Sequence, residues 1–154
     1  MALFPRKIAG RYVMLGRQDH ENIWLLTSDD LYRWDGGTKL VTPRWPWEFV
    51  QMGNCGSPIE IDEGWRVITH GVGAMRNYCI GACLLDKDDP SRVLKRVNVP
   101  LIRPSAAERY GYVPNVVYSC GALVHNRMLL PYAIADNVTT FGTVRLDPLI
   151  AAMA

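Results

Sequence analysis

Hydrophobic residues in this chain come in short runs that alternate with polar ones and stop at glycine, proline or an acidic turn about every ten residues. Residues 23–26 lead into Ser28-Asp29-Asp30, residues 79–85 into the turn from Asp86 to Pro90, and residues 140–146 into Asp147-Pro148. These runs are rich in β-branched and aromatic side chains, which predicts strands, whereas an amphipathic helix needs a longer unbroken periodic stretch. Only residues 105–109 and 148–153 read as locally helical.

The pattern is organised around residues 51–71, QMGNCGSPIEIDEGWRVITHG. Residues 58–61 and 65–69 predict a hairpin closed by the turn Asp62-Glu63-Gly64, with His70 at the end of the second strand, where the loop GVGAMRN begins. Two looser copies flank it, with turns at Ile8-Ala9-Gly10 and His125-Asn126. Aligned on Tyr12, Trp65 and Arg127, the three units place Arg17, His70 and Tyr132 at one equivalent position. Repeated antiparallel units with a polar or aromatic strand-end residue point to an all-β fold. Blades of a β-propeller are one solution and a β-sandwich is the other, and residues 1–154 read as a single domain.

Composition narrows the function classes. Seventeen Lys and Arg against fifteen Asp and Glu give a net charge of +2 with no basic stripe, so nucleic acid is not an expected partner. No apolar run approaches the roughly 20 residues that span a bilayer, and the first six residues are too short for a signal peptide, so no membrane partner and a cytoplasmic location are expected. The four cysteines contain no CxxC pair. Cys79 and Cys83 would lie roughly 13 Å apart on an extended strand, which predicts buried free thiols rather than a disulfide or zinc site. The acidic runs read as solvated turns, and no metal ligands are assigned. Trp24, Trp34 and Trp65 read as core. Trp45 and Trp47, in a proline-bounded loop, offer either a face for a sugar ring or an apolar surface covered by another chain.

The consecutive segments ALFPRKIAGRYVMLGRQ, NIWLLTSDDLYRW, GSPIEIDEGWRVITHGV, YCIGACLLDKDDPSRVLKR, GYVPNVVYSCGALV and LLPYAIADN resemble, in order, the motifs of glycoside hydrolase family 130, the mannoside phosphorylases and related mannosidases. The resemblance implies a five-bladed β-propeller with its site in a central funnel. It is a resemblance to the family's C-terminal half only, so about three antiparallel blades, a partial propeller, are expected here. In the family an aspartate of the N-terminal half acts as general acid while inorganic phosphate attacks the anomeric carbon. No residue here matches that aspartate, so no catalytic residue is assigned. A glycosidic bond departs only when its oxygen is protonated, and the chain by itself is expected to be inactive.

The resemblance also assigns binding residues. Arg17 and His70 match residues that contact phosphate. Gln51 stands where phosphorylases carry a lysine or arginine, which removes a charge-assisted hydrogen bond worth roughly 1.5–3 kcal/mol. Tyr110, Tyr112, Asn115 and Asp136 correspond to motifs bordering the mannose-binding funnel. Plainer roles are open to each. Arg17 could pair with Asp19 or Asp136, His70 could bond a carbonyl, and Asn115 and Asp136 could simply satisfy turns. The implied partners are a mannose-containing oligosaccharide or phosphate, with inorganic phosphate as co-substrate and no other cofactor. A noncatalytic sugar- or anion-binding module and a self-assembling structural half-propeller are the alternatives. An interrupted ring would expose Leu3, Phe4, Val13, Phe141 and Val144 near its cut ends. Those faces would be covered by a homo-oligomer, most simply a dimer, or by the missing N-terminal half.

Overall fold

A computed structural model describes residues 1–34 and 36–154. Three antiparallel sheets follow one another along the chain. The first holds β1 (Ala2–Leu3), β2 (Tyr12–Gly16), β3 (Ile23–Ser28) and β4 (Thr38–Val41), in that order. In the second, β5 (Gln51–Asn54) and β6 (Ile59–Ile61) both pair with β7 (Gly64–Val72), which is followed by β8 (Tyr78–Leu85) and β9 (Val93–Arg96). The third repeats this interrupted edge, with β10 (Val117–Tyr118) and β11 (Leu123–His125) pairing opposite ends of β12 (Arg127–Ile134), which also pairs with β13 (Val138–Val144). A short helix α1 (Leu146–Ala151) then leads the chain back to the second sheet, where Arg96 and Ala154 exchange backbone hydrogen bonds.

The predicted turns form, each through a backbone that suits its residue. Ala9 and Gly10 have φ of +48° and +79°, and Asn126 has +54°. Gly64 is required in two ways. Its φ is +144°, and a Cβ there would lie 2.1 Å from the Leu85 carbonyl oxygen.

The sheets stack face to face through two apolar layers. Phe4, Val13, Leu15, Ile23 and Leu25 of the first sheet meet Trp65, Val67, Cys83 and Leu85 of the second. Ile68, Ile80, Ala82 and Leu84 on the other face of the second sheet meet Val117, Met128 and Leu130 of the third. Strand β7 therefore has a core on both sides, and all nine of its residues are buried. Each fully buried Leu or Ile contributes about 1.5–3 kcal/mol by leaving water.

Several expectations are corrected by this stacking. Phe4 and Val13 point into the first layer, Phe4 edge-on to Trp65 at 5.0 Å, because the first sheet packs its inner face on the second. Leu3 and Phe141 do face outward, and Val144 is half-buried against the second layer. Trp65 is core, but Trp24 and Trp34 are half-buried, with Lys39 over the Trp24 ring. Three cysteines are buried and Cys120 is exposed, and all four are free. Residues 106–108 form a 3-10 turn closed by reciprocal Ser105 and Glu108 hydrogen bonds, as the local pattern suggested.

Neighbouring leucines of β12 test which face of the third sheet is covered. Leu130 is fully buried and Leu129 lies on the outward face. In chemical denaturation, Leu130→Ala is expected to cost about 2–5 kcal/mol and Leu129→Ala under about 1 kcal/mol. Similar costs for the two would contradict the stacking.

Candidate functional site

His70 lies inside β7 rather than at its end, because the strand continues through Gly71 and Val72. It is paired with Gly53 on one side and Ile80 on the other, and is buried. Gly53 creates the site. A Cβ there would lie 2.5 Å from His70 Cε1, 3.0 Å from His70 Nε2 and 2.9 Å from Arg17 Cδ, so the imidazole and the arginine converge over a bare backbone.

Arg17 follows β2 and reaches this point from the first sheet. One of its Nη atoms donates to the His20 carbonyl, while its Nε is buried without a partner. Asp19 is engaged elsewhere. Its carboxylate accepts from the Glu21 and Asn22 amides and from Asn22 Nδ2, and pairs with Lys39 Nζ at 3.2 Å. Among the described residues, neither Asp19 nor Asp136 forms an ion pair with Arg17.

Around His70 the second and third sheets supply an aromatic wall. The Tyr78 ring lies 6.0 Å from the imidazole at 20°, and the Tyr118 ring 5.1 Å away at 52°. His70 Nδ1 contacts Cys55 Sγ at 3.7 Å, so its neighbour is a thiol rather than a carbonyl. Gln51 joins through Tyr78, donating from Nε2 to the phenolic oxygen at 3.1 Å. Burial, and secondarily the Arg17 charge, push the His70 pKa down to about 4, which leaves the ring neutral near pH 7. Burial also raises the Tyr118 phenol, so Tyr118, like His70, is uncharged there. The site thus offers one fixed cation and several neutral donors, a set suited to an anionic oxygen group.

Of the other four expected residues, Tyr110, Tyr112 and Asn115 lie along one adjoining segment and Asp136 in the turn between β12 and β13. The Asn115 carbonyl accepts from the Tyr78 amide at 2.9 Å, and Asn115 itself has φ of +62°, so its backbone does serve a turn. Tyr110 and Tyr112 are exposed and flank Gly111. A Cβ on Gly111 would strike Ala135, the neighbour of Asp136 in the β12–β13 turn. Arg17, His70 and Gln51 are therefore brought together, while Tyr110, Tyr112 and Asp136 form a second, solvent-facing group joined to the first through residues 113–118. Tyr132, the expected third equivalent of Arg17 and His70, packs against the second core layer instead, and Tyr118 meets His70. Tyr78, Tyr118 and Cys55 were not singled out by sequence. Gly53 carried a legible signal, since a glycine inside a strand marks a close approach.

The loop before β5 carries Trp47, whose indole lies against Gly71 and Gly81 and donates to the Asn98 carbonyl at 3.0 Å. Trp45 stacks parallel to it at 6.4 Å between indole centroids, with the Arg44 and Arg96 guanidiniums near the Trp45 ring. Both rings are held by the protein itself.

Comparison with known proteins assigns this arrangement to a family. The family model described as β-1,4-mannooligosaccharide phosphorylase matches residues 1–154. The chain is 41% identical over 140 residues to a 1,2-β-oligomannan phosphorylase of Thermoanaerobacter sp., covering 89% of this chain and 47% of that protein. It is 33% identical to a β-1,4-mannooligosaccharide phosphorylase of Ruminococcus albus, covering 96% of this chain and 48% of the relative. The structure superposes on the β-1,2-mannobiose phosphorylase of Listeria innocua, solved with β-1,2-mannobiose, with a TM-score of 0.89 at 30% identity, over 98% of this chain and 45% of that one. The chain thus spans about half the length of the relatives it matches.

Burial of His70 has a consequence for stability. Its folded pKa lies below the ordinary 6.5, so its contribution is present above about pH 6.5 and is lost as pH falls toward 4. The loss is expected to be on the order of 3 kcal/mol. Unfolding titrations of the wild type and His70→Gln across this window check it, and equal slopes for the two proteins would refute it.

Proposed function

The chain belongs to glycoside hydrolase family 130, and from that premise we propose that its 154 residues form one domain, about three blades of a five-bladed β-propeller, carrying the phosphate- and sugar-binding part of a mannoside-active site. The observation that carries this reading is the convergence of Arg17 and His70 over Gly53, with a buried Arg17 N–H left unpartnered. An oxygen of phosphate would accept from Arg17 and from neutral His70. Gln51, held by Tyr78, would supply a neutral donor where a cation would bind more tightly. The exposed group of Tyr110, Tyr112 and Asp136, with Asn115 beside it, would receive the mannosyl unit, Asp136 accepting from sugar hydroxyls.

In the complete reaction a phosphate oxygen bonds to the anomeric carbon as the glycosidic C–O bond breaks, and an acid delivers a proton to the departing oxygen. The products are mannose 1-phosphate and a shortened saccharide. None of the 154 residues is assigned as that acid, which would come from the half that the relatives possess in addition. The outward apolar side chains Leu123, Leu129 and Phe141 of the third sheet, and Leu3 of the first, support an open stack covered by that half or by a second copy of the chain. No described helix is long and apolar enough to cross a membrane, and four free cysteines suit the reducing cytoplasm.

Sulfate, whose charge is constant with pH, tests the anion site. Binding in the millimolar range (~4 kcal/mol) is expected at neutral pH, tightening as pH falls toward His70 titration. Arg17→Ala is expected to weaken it at least about tenfold, and His70→Gln to remove the pH dependence. Sulfate affinity indifferent to Arg17→Ala would overturn the assignment.

The purified 154-residue chain is further expected to scatter light as a dimer and to release no mannose 1-phosphate from mannobiose and phosphate. Steady turnover abolished by Asp136→Asn would place the acid within these residues, and a well-behaved 17.4 kDa monomer would refute the open stack.

A further inference from the structure

At the opposite end of β7 from the anion site, Arg66 occupies a position as buried as any apolar core residue. It is 1% exposed, and its Nε and Nη1 have no hydrogen-bond partner. Such a side chain is anomalous in a stacked sheet, where buried donors are normally satisfied. Arg66 also lines a cavity of about 290 Å³ between the β6–β7 turn and helix α1, together with Ile61, Asp62, Glu63, Asp147 and Ile150.

This cavity is separate from the site described above. Arg66, Ile68 and His70 share one face of β7, and at about 3.3 Å per residue Arg66 and His70 lie roughly 13 Å apart. Ile68, buried in the layer between the second and third sheets, stands between them.

The lining restricts the ligand. Three exposed carboxylates beside one guanidinium disfavour a simple anion, and the buried guanidinium disfavours a simple cation at the floor. Among the described residues the carboxylates make no cluster able to hold a metal ion. A neutral polyhydroxyl compound satisfies both kinds of group, because each hydroxyl accepts from the guanidinium and donates to a carboxylate. Ile61 and Ile150 would then lie against the C–H faces of a sugar ring. We propose that the cavity around Arg66 is an accessory site for a single neutral sugar ring, distinct from the anion site at His70.

The experiment is a titration of the isotopically labelled chain with D-mannose, followed by amide NMR. Saturable shifts are expected at residues 61–66 and 147–150. Arg66→Met is expected to abolish them and Asp147→Asn, at an exposed position, to weaken them several-fold while keeping the spectrum of a folded chain. His70→Gln is expected to leave them unchanged, which separates this site from the anion site whether or not that site binds sulfate. Absence of these shifts, their persistence in Arg66→Met, or the same amides moving with inorganic phosphate instead of mannose would overturn the proposal.

Discussion

The double burial of β7 is the constraint on which the rest of the structure depends. A strand with an apolar layer on each face holds polar side chains at a cost unless a neighbour leaves room and a partner, and Arg66, with Nε and Nη1 unpartnered, is the residue of β7 that bears this cost. Its four core side chains Trp65, Val67, Ile68 and Val72 satisfy the rule by being apolar, and Thr69 by being small. His70 meets it by losing its proton, since burial beside Arg17 favours the neutral ring. The same stacking that stabilises the fold therefore sets the protonation state of a residue in the candidate site.

Glycines determine how closely the surrounding groups approach this strand. Gly53 admits Arg17 and the His70 ring, and Gly71 and Gly81 admit the Trp47 indole, whose carbon atoms lie 2.7 and 2.5 Å from where their Cβ atoms would be. Next to Trp47, fully buried Glu48 accepts from the Arg44 and Trp45 amides and pairs with Arg96 at 2.7 Å. That pair is nearly sealed from solvent, so its geometry ties the loop before β5 to β9 more firmly than an exposed pair would.

Much of the fold was legible in sequence because its signals are local. The three turns, the acidic strand exits and the long strands β7, β8 and β12 follow from residues adjacent in the chain. What could not be read was which face of a strand meets a neighbouring sheet. Phe4 and Val13 look like ordinary edge residues, and Trp24 and Trp34 like ordinary core, until the stacking direction is known. His70 was misplaced by two residues for a related reason: Gly71 and Val72 read as a loop locally, yet they pair with Met52 and Gln51 across the sheet. Arg17 and His70 stood out by their equivalent positions in the repeated units, while their expected role, and Gln51 altogether, came from family motifs. The residues that complete their surroundings, Tyr78, Tyr118 and Cys55, come together only through pairing between distant segments.

The candidate anion site draws on all three sheets, and this links its geometry to how firmly the outer sheets are held. Arg17 arrives from the first sheet, His70, Gln51 and Tyr78 from the second, and Tyr118 from the third. The middle sheet is clamped from both sides, but each outer sheet is held on one face only, with Leu3 outward on the first and Leu129 and Phe141 outward on the third. Motion of an outer sheet would move Arg17 or Tyr118 relative to an imidazole that is fixed. Because a charge-assisted hydrogen bond weakens steeply with distance and angle, even a sub-ångström displacement of Arg17 would change how well an anion placed there is held. Covering the outer faces would therefore act on binding at the proposed site as well as on stability, through the spacing between sheets.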